Sequence, residues 1–424
     1  MSRGVKYVIS TLDIDIVWRL TERNYARSQV WAQEQSGFGV KMMDKASRVA
    51  QALGEIDPGT RAVIAPVHLS TTFIRDEDNQ YRSGYVYGRA DNATVRAAER
   101  VIAMLEDAPA GALLFGSGMA AAVAVFSALQ AGDHVVAPVV MYWALRRWLA
   151  HELPRRAIEV DFVAMDDLGA VRAAIRPGQT KLVWIETPGN PLWTITDIKA
   201  VAAMAHQAGA LLAVDSTVAS PFHTNPIALG ADIVMHAATK ILNGHSDVVA
   251  GALAGARDDE FWQRLVAQRS QAGAILGPFE AFLLLRGMRT FFLRAQAQTR
   301  TAMKLAQRLA EHELVSDVLY PGLARHPGHA IACGQMQNGF GCMLSIRVIG
   351  GERAAIGTAA AVRLWHRATS LGGVESLIEH RASVEGSGTP CPADLLRLSV
   401  GIEHEDDLFD DLDQALRKAA ILSA

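Results

Sequence analysis

Three cysteines in 424 residues (Cys333, Cys342 and Cys391) are too few and too irregularly spaced for a disulfide framework or a metal site. A reducing compartment fits best, so the cytoplasm is the expected location. Positive charge is not in surplus: Lys and Arg number 41 against 44 Asp and Glu, for a net charge of −3. That balance leaves no basic footprint for nucleic acid or an anionic membrane. The longest apolar stretch, GALLFGSGMAAAVAVFSAL at 111–129, breaks at Gly116-Ser117-Gly118 into pieces too short to cross a bilayer. No secretory leader is expected, because Asp13, Asp15 and Glu22 interrupt the first residues before an apolar core develops. Repeats and low-complexity linkers are missing too, and no His-x-x-x-His or carboxylate cluster suggests a metal. What remains is a globular composition, half apolar and 20% charged, long enough for two or three domains with their own cores.

The texture changes along the chain. Residues 1–63 carry only helix-like pieces, Arg19–Ala32 and Lys45–Leu53, between glycine-containing breaks. The run VIAPVHLSTTF at 63–73 reads as extended and apolar. Strand-like and helix-like runs then alternate: strands at Ala112–Phe115, His134–Pro138, Lys181–Glu186, Leu211–Asp215 and Asp232–Met235, helices at Met119–Leu129, Trp143–His151 and Ile198–Ala208. This rhythm predicts an α/β domain over 64–256, a mostly parallel sheet with helices on both faces. Helical patterns at Phe261–Gln271, Phe279–Leu284 and Phe292–Glu311, a strand within Gly341–Val348 and a terminal helix at Asp406–Leu422 predict a smaller α+β domain over 257–424. Ligands in open α/β sheets sit beyond the carboxyl ends of strands. Ser117, Glu186, Asp215 and Lys240 all stand there.

Lys240 lies in DIVMHAATKILNGHSDVVAG at 232–251, between an apolar run and a glycine-containing turn. At the edge of a core such a lysine favours its neutral amine, the form that attacks a carbonyl; a surface lysine at a strand end is the alternative. The turn before Met119 offers helix-start amides to an anion, as many strand–helix turns do. Asp215 closes a buried strand and reads either as a turn aspartate or as a site carboxylate. His236 and His245, flanking the lysine, read as structural.

Several motifs together resemble one family. His236, Thr239, Lys240, Asn243, Gly244, His245 and Asp247 match the lysine segment of the pyridoxal-phosphate enzymes of cysteine and methionine metabolism, with Ala237 in place of a serine. Ser117-Gly-Met-Ala-Ala resembles their phosphate loop, and Asp215-Ser216-Thr217 their Asp-Asn-Thr. Glu186-Thr-Pro-Gly-Asn190-Pro191 and Tyr85-Val-Tyr87-Gly-Arg89-Ala-Asp-Asn92 follow, the latter with Ala93 where the family has proline. Ser370-Leu371-Gly372-Gly373 and Arg397 within LRLSVGIE complete the series, so that the likeness runs from about residue 46 to 420 in the family's order.

The resemblance implies the aminotransferase-like fold (fold type I) and pyridoxal 5'-phosphate as cofactor. Lys240 would be the Schiff-base lysine and, with Tyr142, the catalytic pair. Gly118, Met119, Thr239 and Thr217 would hold the cofactor with Asn190, Asp215 would face its ring nitrogen, and Tyr142 would stack on the ring. Tyr87 and Arg89 would reach the phosphate of a neighbouring subunit, so that a homodimer is the smallest active unit and a homotetramer the expected assembly. Residues before the main domain would be an arm around that neighbour; alternatively the true start is Met42 or Met43. Arg397 would clamp the substrate carboxylate beside Ser370 and Leu371, with Asn190, Tyr87, Trp143 and Thr369 also lining the substrate side.

The implied activity is removal of a γ-substituent from an amino acid such as methionine, an O-acylhomoserine, cystathionine or canavanine. Family members that handle cystathionine often carry acidic residues where this chain has Val86 and Thr369, and Trp143 stands in place of a glycine. That pattern argues against a dedicated cystathionine enzyme and for another γ-substituted amino acid, with γ-elimination as the expected reaction. γ-Replacement, as in a synthase or sulfhydrylase, is the alternative, and a cofactor-binding protein without turnover is the third.

Overall fold

A computed structural model describes residues 43–57, 59–386 and 390–423. The expected helix at Arg19–Ala32 and the arm or alternative start before residue 43 lie outside the described residues. Seven strands form the larger sheet: β1 (Gly111–Phe115), β2 (His134–Pro138), β3 (Glu159–Val163), β4 (Thr180–Glu186), β5 (Leu211–Asp215), β6 (Ile233–His236) and β7 (Gly251–Gly255). Their order is β1-β7-β6-β5-β4-β2-β3. Only β7 runs against the rest, pairing antiparallel with β1 and β6, while β3, β2, β4, β5 and β6 are parallel neighbours.

Strand alternation fills both faces. In β4, Leu182 and Trp184 enter one buried cluster while Val183 and Ile185 enter the other, as the two-residue period of a strand requires. The crossover helices start on side-chain caps: Ser117 accepts from the Ala120 amide at 3.0 Å, and Asp197 from that of Ala200 at 2.9 Å.

The second sheet has the order β10-β11-β12-β9-β8, with β8 (Val315–Leu319), β9 (Met343–Val348), β10 (His366–Arg367), β11 (Leu377–His380) and β12 (Leu395–Ser399). The helices Glu260–Ala272, Pro278–Met288 and Phe291–Ala310 join the sheets, and Glu405–Ser423 closes the chain. One apolar cluster runs from Val214 and Val234 of the first sheet through Phe291 and Leu305 to Ile346 and Leu398 of the second. The two sheets therefore share a core, and loops of both meet at the carboxyl edge of the first.

Residues 63–73, read as extended and apolar, join neither sheet among the described residues: Thr72 makes a single bridge to Tyr87, and Val63 and Leu69 are exposed. Pro66 can donate nothing to a ladder there. Conversely, β7 was illegible because Gly-Ala-Leu-Ala-Gly lacks β-branched residues. Its small residues answer a packing demand: a Cβ on Gly251 would sit 2.1 Å from the Ser117 carbonyl oxygen, and one on Gly255 2.6 Å from the Trp262 ring.

Candidate active site

Lys240 sits in a tight turn between β6 and β7. Its amide donates to Ala237 O at 3.0 Å, and its carbonyl accepts from Gly244 N at 2.8 Å. Three further carbonyls are gathered by one side chain: Arg294 donates to Ile241 O (2.9 Å), Leu242 O (3.2 Å) and Gly287 O (2.9 Å). Gly244, at φ 73°, is obligatory, since a Cβ would lie 1.8 Å from that guanidinium. The lysine is half-buried, and its Nζ donates to Ser370 Oγ at 2.7 Å. Burial, and after it the charge of Arg397, pulls the ammonium down to about 8, with Glu379 opposing. A minority of the amine, about a fifth, is thus neutral near physiological pH, far more than for an ordinary lysine.

Asp215 and Glu186 end adjacent parallel strands and lie opposite each other in register. Both are buried. Burial drives the Asp215 carboxyl up, against bonds from Thr217 and the charge of His236. Burial and then the Asp215 charge push Glu186 up to about 8, despite amide bonds from Asn190 (3.0 Å) and Tyr142 (2.7 Å). Glu186 therefore ties two expected site residues, Asn190 and Tyr142, to one carboxylate. The sequence pattern named the residue without that task. Thr217 donates its amide to Asp215 Oδ1 at 3.0 Å and accepts the Ala237 amide on its hydroxyl at 2.8 Å.

The start of the helix Gly118–Ser127 lies alongside. Among the described residues no acceptor takes the amides of Gly118 and Met119, so two donors point outward at the positive end of a helix. A Cβ on Gly118 would meet that of Ala237 at 2.8 Å, which brings the loop hard against the lysine turn. The Thr239 hydroxyl is engaged elsewhere, donating to Ala250 O (3.1 Å) and accepting from Ala250 N (2.9 Å).

The second sheet supplies the opposite wall. Arg397 of β12 is buried; it donates to Ser370 O at 2.8 Å and Asn190 Oδ1 at 3.3 Å, and pairs with Glu379 at 2.6 Å. Ser370 holds φ at 87°, an uncommon backbone for a non-glycine residue that costs ~1–3 kcal/mol. Arg397 and Lys240 bind its carbonyl and hydroxyl respectively. Behind it a Cβ on Gly372 would lie 2.8 Å from Ile241 N, so the loop with buried Leu371 abuts the lysine turn. Thr369 is exposed beside Ser370, and Trp143 is half-buried with its ring 6.3 Å from that of Tyr142.

Tyr87 and Arg89 stand apart. Both are exposed, and the guanidinium lies over the tyrosine ring at 5.6 Å. Ala93 opens the helix Ala93–Glu106, where Asn92 caps Thr94 N at 2.9 Å and donates to His68 O at 2.8 Å. His236 bonds Glu106 at 2.6 Å in the core, and His245 bonds Asn243 O at 2.7 Å. Sequence reasoning missed Arg294, Glu379 and Arg381, each more than fifty residues from the lysine in the chain and marked by no local pattern.

A buried acid for a ring nitrogen, outward amides for a phosphate and a partly neutral lysine between them fit pyridoxal phosphate, and on this fold they define a pyridoxal-phosphate-dependent enzyme of fold type I. The family comparison agrees. A model of the Cys/Met metabolism PLP-dependent enzymes matches residues 46–417, and the chain belongs to that family, whose members act in trans-sulfuration as synthases and lyases. Cystathionine gamma-synthase of Mycobacterium tuberculosis is 46% identical over 377 residues, covering 88% of this chain and 96% of the relative. Cystathionine gamma-lyase of Dictyostelium discoideum is 40% identical over 380 residues, with 88% and 97% covered. The solved cystathionine gamma synthase of Xanthomonas oryzae, in complex with aminoacrylate and cysteine, superimposes with a TM-score of 0.85 at 38% identity, covering 90% of this chain and all of that one.

Proposed function

We propose that the enzyme expels the γ-substituent of a γ-substituted L-amino acid and installs a thiol in its place. The Cγ–heteroatom bond breaks with its electron pair leaving on the substituent, and a sulfur–Cγ bond forms as the thiol gives up its proton. The observation that carries the reading is the direct link from Lys240 through Ser370 to Arg397. It sets a proton-moving amine a fixed distance from a carboxylate fork, as an amino acid reacting at Cα and Cβ requires.

The bound cofactor supplies an electron sink for the substrate's Cα. Within this reading, Lys240 would hold the cofactor through its amine and would carry protons between Cα and Cβ of the substrate. Asp215 would face the ring nitrogen and keep it protonated, with Thr217 fixing the Asp215 rotamer, and the amides of Gly118 and Met119 would hold the phosphate. Tyr142 would stack on the ring, and Asn190 would reach its phenolic oxygen. Thr239 supports the phosphate loop through Ala250 rather than by a free hydroxyl. Arg397 takes the α-carboxylate, while Leu371, Trp143 and Thr369 shape the space for the γ-substituent. Tyr87 and Arg89 complete the site of a neighbouring subunit, in a homodimer that pairs again to a tetramer. Residues 64–256 form the cofactor domain and 257–424 the second domain.

Replacement is preferred to elimination because the synthase relative is the more similar of the two compared. Elimination is the second reading, favoured by Val86 and Thr369, which offer no charge to a distal ammonium. Methionine, cystathionine, O-succinylhomoserine, O-acetylhomoserine and canavanine, each incubated with and without cysteine or sulfide, separate the two. Turnover that needs the thiol is expected; oxo-acid and ammonia released at full rate without it would reject replacement.

A further inference from the structure

Behind Arg397 lies a second guanidinium that none of the roles above employs. Glu379 of β11 stands opposite Arg397 of β12 in register. Its Oε2 is shared, 2.6 Å from Arg397 Nη2 and 2.9 Å from Arg381 Nη1. Arg381 opens the short helix Arg381–Glu385, so Glu385 lies one turn on along the same face. Its Oε1 accepts from Arg381 Nε at 3.2 Å and Nη2 at 2.8 Å. All four side chains are buried, none above 8% exposed. Besides burial, Arg397, Glu379 and Arg381 each act on the Lys240 ammonium, which puts the cluster within electrostatic reach of the reacting centre.

Such a cluster has a difficulty to solve. A substrate carboxylate that enters the Arg397 fork meets the charge already there, on Glu379. Two carboxylates on one guanidinium repel each other strongly in a buried site. A second guanidinium on the same Glu379 oxygen removes the conflict, because Glu379 keeps a full partner when Arg397 turns to the substrate.

We propose that Arg381, anchored by Glu385, is a positioning residue that draws Glu379 off Arg397 as the substrate carboxylate arrives, and so sets the affinity for the amino acid. Arg381 never touches substrate in this scheme. It acts through Glu379, and its loss leaves Glu379 as a built-in competitor for the fork. The inference rests on Arg397 being the carboxylate clamp.

The test is a double-mutant cycle in the holoenzyme with an amino acid that the wild type turns over. Arg381→Met is expected to raise KM about tenfold or more while kcat stays within about threefold. Adding Glu379→Gln, which removes the competing charge, is expected to bring KM back to within about threefold of wild type. A double variant with a KM as high as the single one would overturn the proposal, as would a loss confined to kcat. Arg381→Lys keeps the charge on a variant that folds if Arg381→Met does not. It should raise KM by a smaller factor, again reversed by Glu379→Gln, and an unreversed rise is equally fatal. Titration of each variant with the amino acid, followed by the cofactor's visible absorbance, reads binding apart from turnover and should move in parallel with KM. The premise has its own control: Arg397→Lys at unchanged KM would remove the clamp assignment itself, whereas a normal clamp with an inert Arg381 would remove only the relay.

Discussion

The two walls of the site handle charge in opposite ways. On the large-sheet side two buried carboxyls, Asp215 and Glu186, stand side by side with amide, hydroxyl and imidazole neighbours but, among the described residues, no bonded guanidinium, and burial pushes both toward the neutral form. On the second-sheet side every buried charge has a partner: Arg397 and Arg381 interleave with Glu379 and Glu385. The difference teaches how each wall receives its ligand. An acid pair without a bonded cation gains from a cationic ring arriving, because the newcomer supplies the missing countercharge. A neutralised ion cluster gains little from an anion unless a partner is released in exchange. On the proposed roles, cofactor binding on the first wall would therefore be additive, and substrate binding on the second competitive.

The largest effect should come from the residue between the walls. Lys240→Ala is expected to lower turnover by about 10³-fold or more and to abolish the visible band of lysine-bound cofactor. A band that persisted would place the covalent link elsewhere and break the comparison at its hinge. Next, Arg397→Lys should raise KM by roughly 10–100-fold while leaving that band intact, since it disturbs only the competitive wall. Loss of the band in this variant would show the walls to be coupled.

Glu186→Gln probes the acid wall. One of its two amide bonds must be given up to an NH₂ group, and the protein should lose ~1–3 kcal/mol of unfolding stability at a pH where the carboxyl accepts both amides. Cofactor affinity should fall with it, because Tyr142 and Asn190 lose a shared anchor; chemical denaturation and cofactor titration measure the two. A pH series gives the sign of the Lys240 shift. With the ammonium held down to about 8, the rate of cofactor capture by cofactor-free protein should rise through that pH and level off above it. A rise centred near the ordinary lysine value would mean the amine is not desolvated. The smallest change is expected from Trp143→Ala, which should alter preference among γ-substituents by roughly 10-fold and leave cofactor binding unaltered.

The division between the walls also marks what could be read from the sequence. Local chemistry was legible: Ser117 before Gly118, Asp215 at a strand end and Lys240 before an Asn-Gly turn each carry a short pattern tied to backbone geometry. The parallel sheet was legible from Leu211–Asp215 and its neighbours, whose apolar runs match strands buried on both faces. Contacts made across the chain were not. Arg294 reaches the lysine turn from more than fifty residues away, and nothing local marks Glu379 and Arg381, which the pairing of β11 with β12 brings to Arg397. β7 hid in a Gly-Ala sequence that answers to space rather than propensity, and the apolar content of residues 63–73 did not reveal that they join neither sheet among the described residues.

The reach of Arg294 also orders events in time. When a ribosome has added residue 260, all seven strands of the large sheet have been synthesised, yet the guanidinium that gathers the carbonyls of Ile241 and Leu242 has not. On the proposed role of Lys240, capture of the vitamin-derived aldehyde would thus belong to the finished chain. A truncated product of interrupted translation, even one that kept the whole first sheet, would compete poorly for the cell's supply of it.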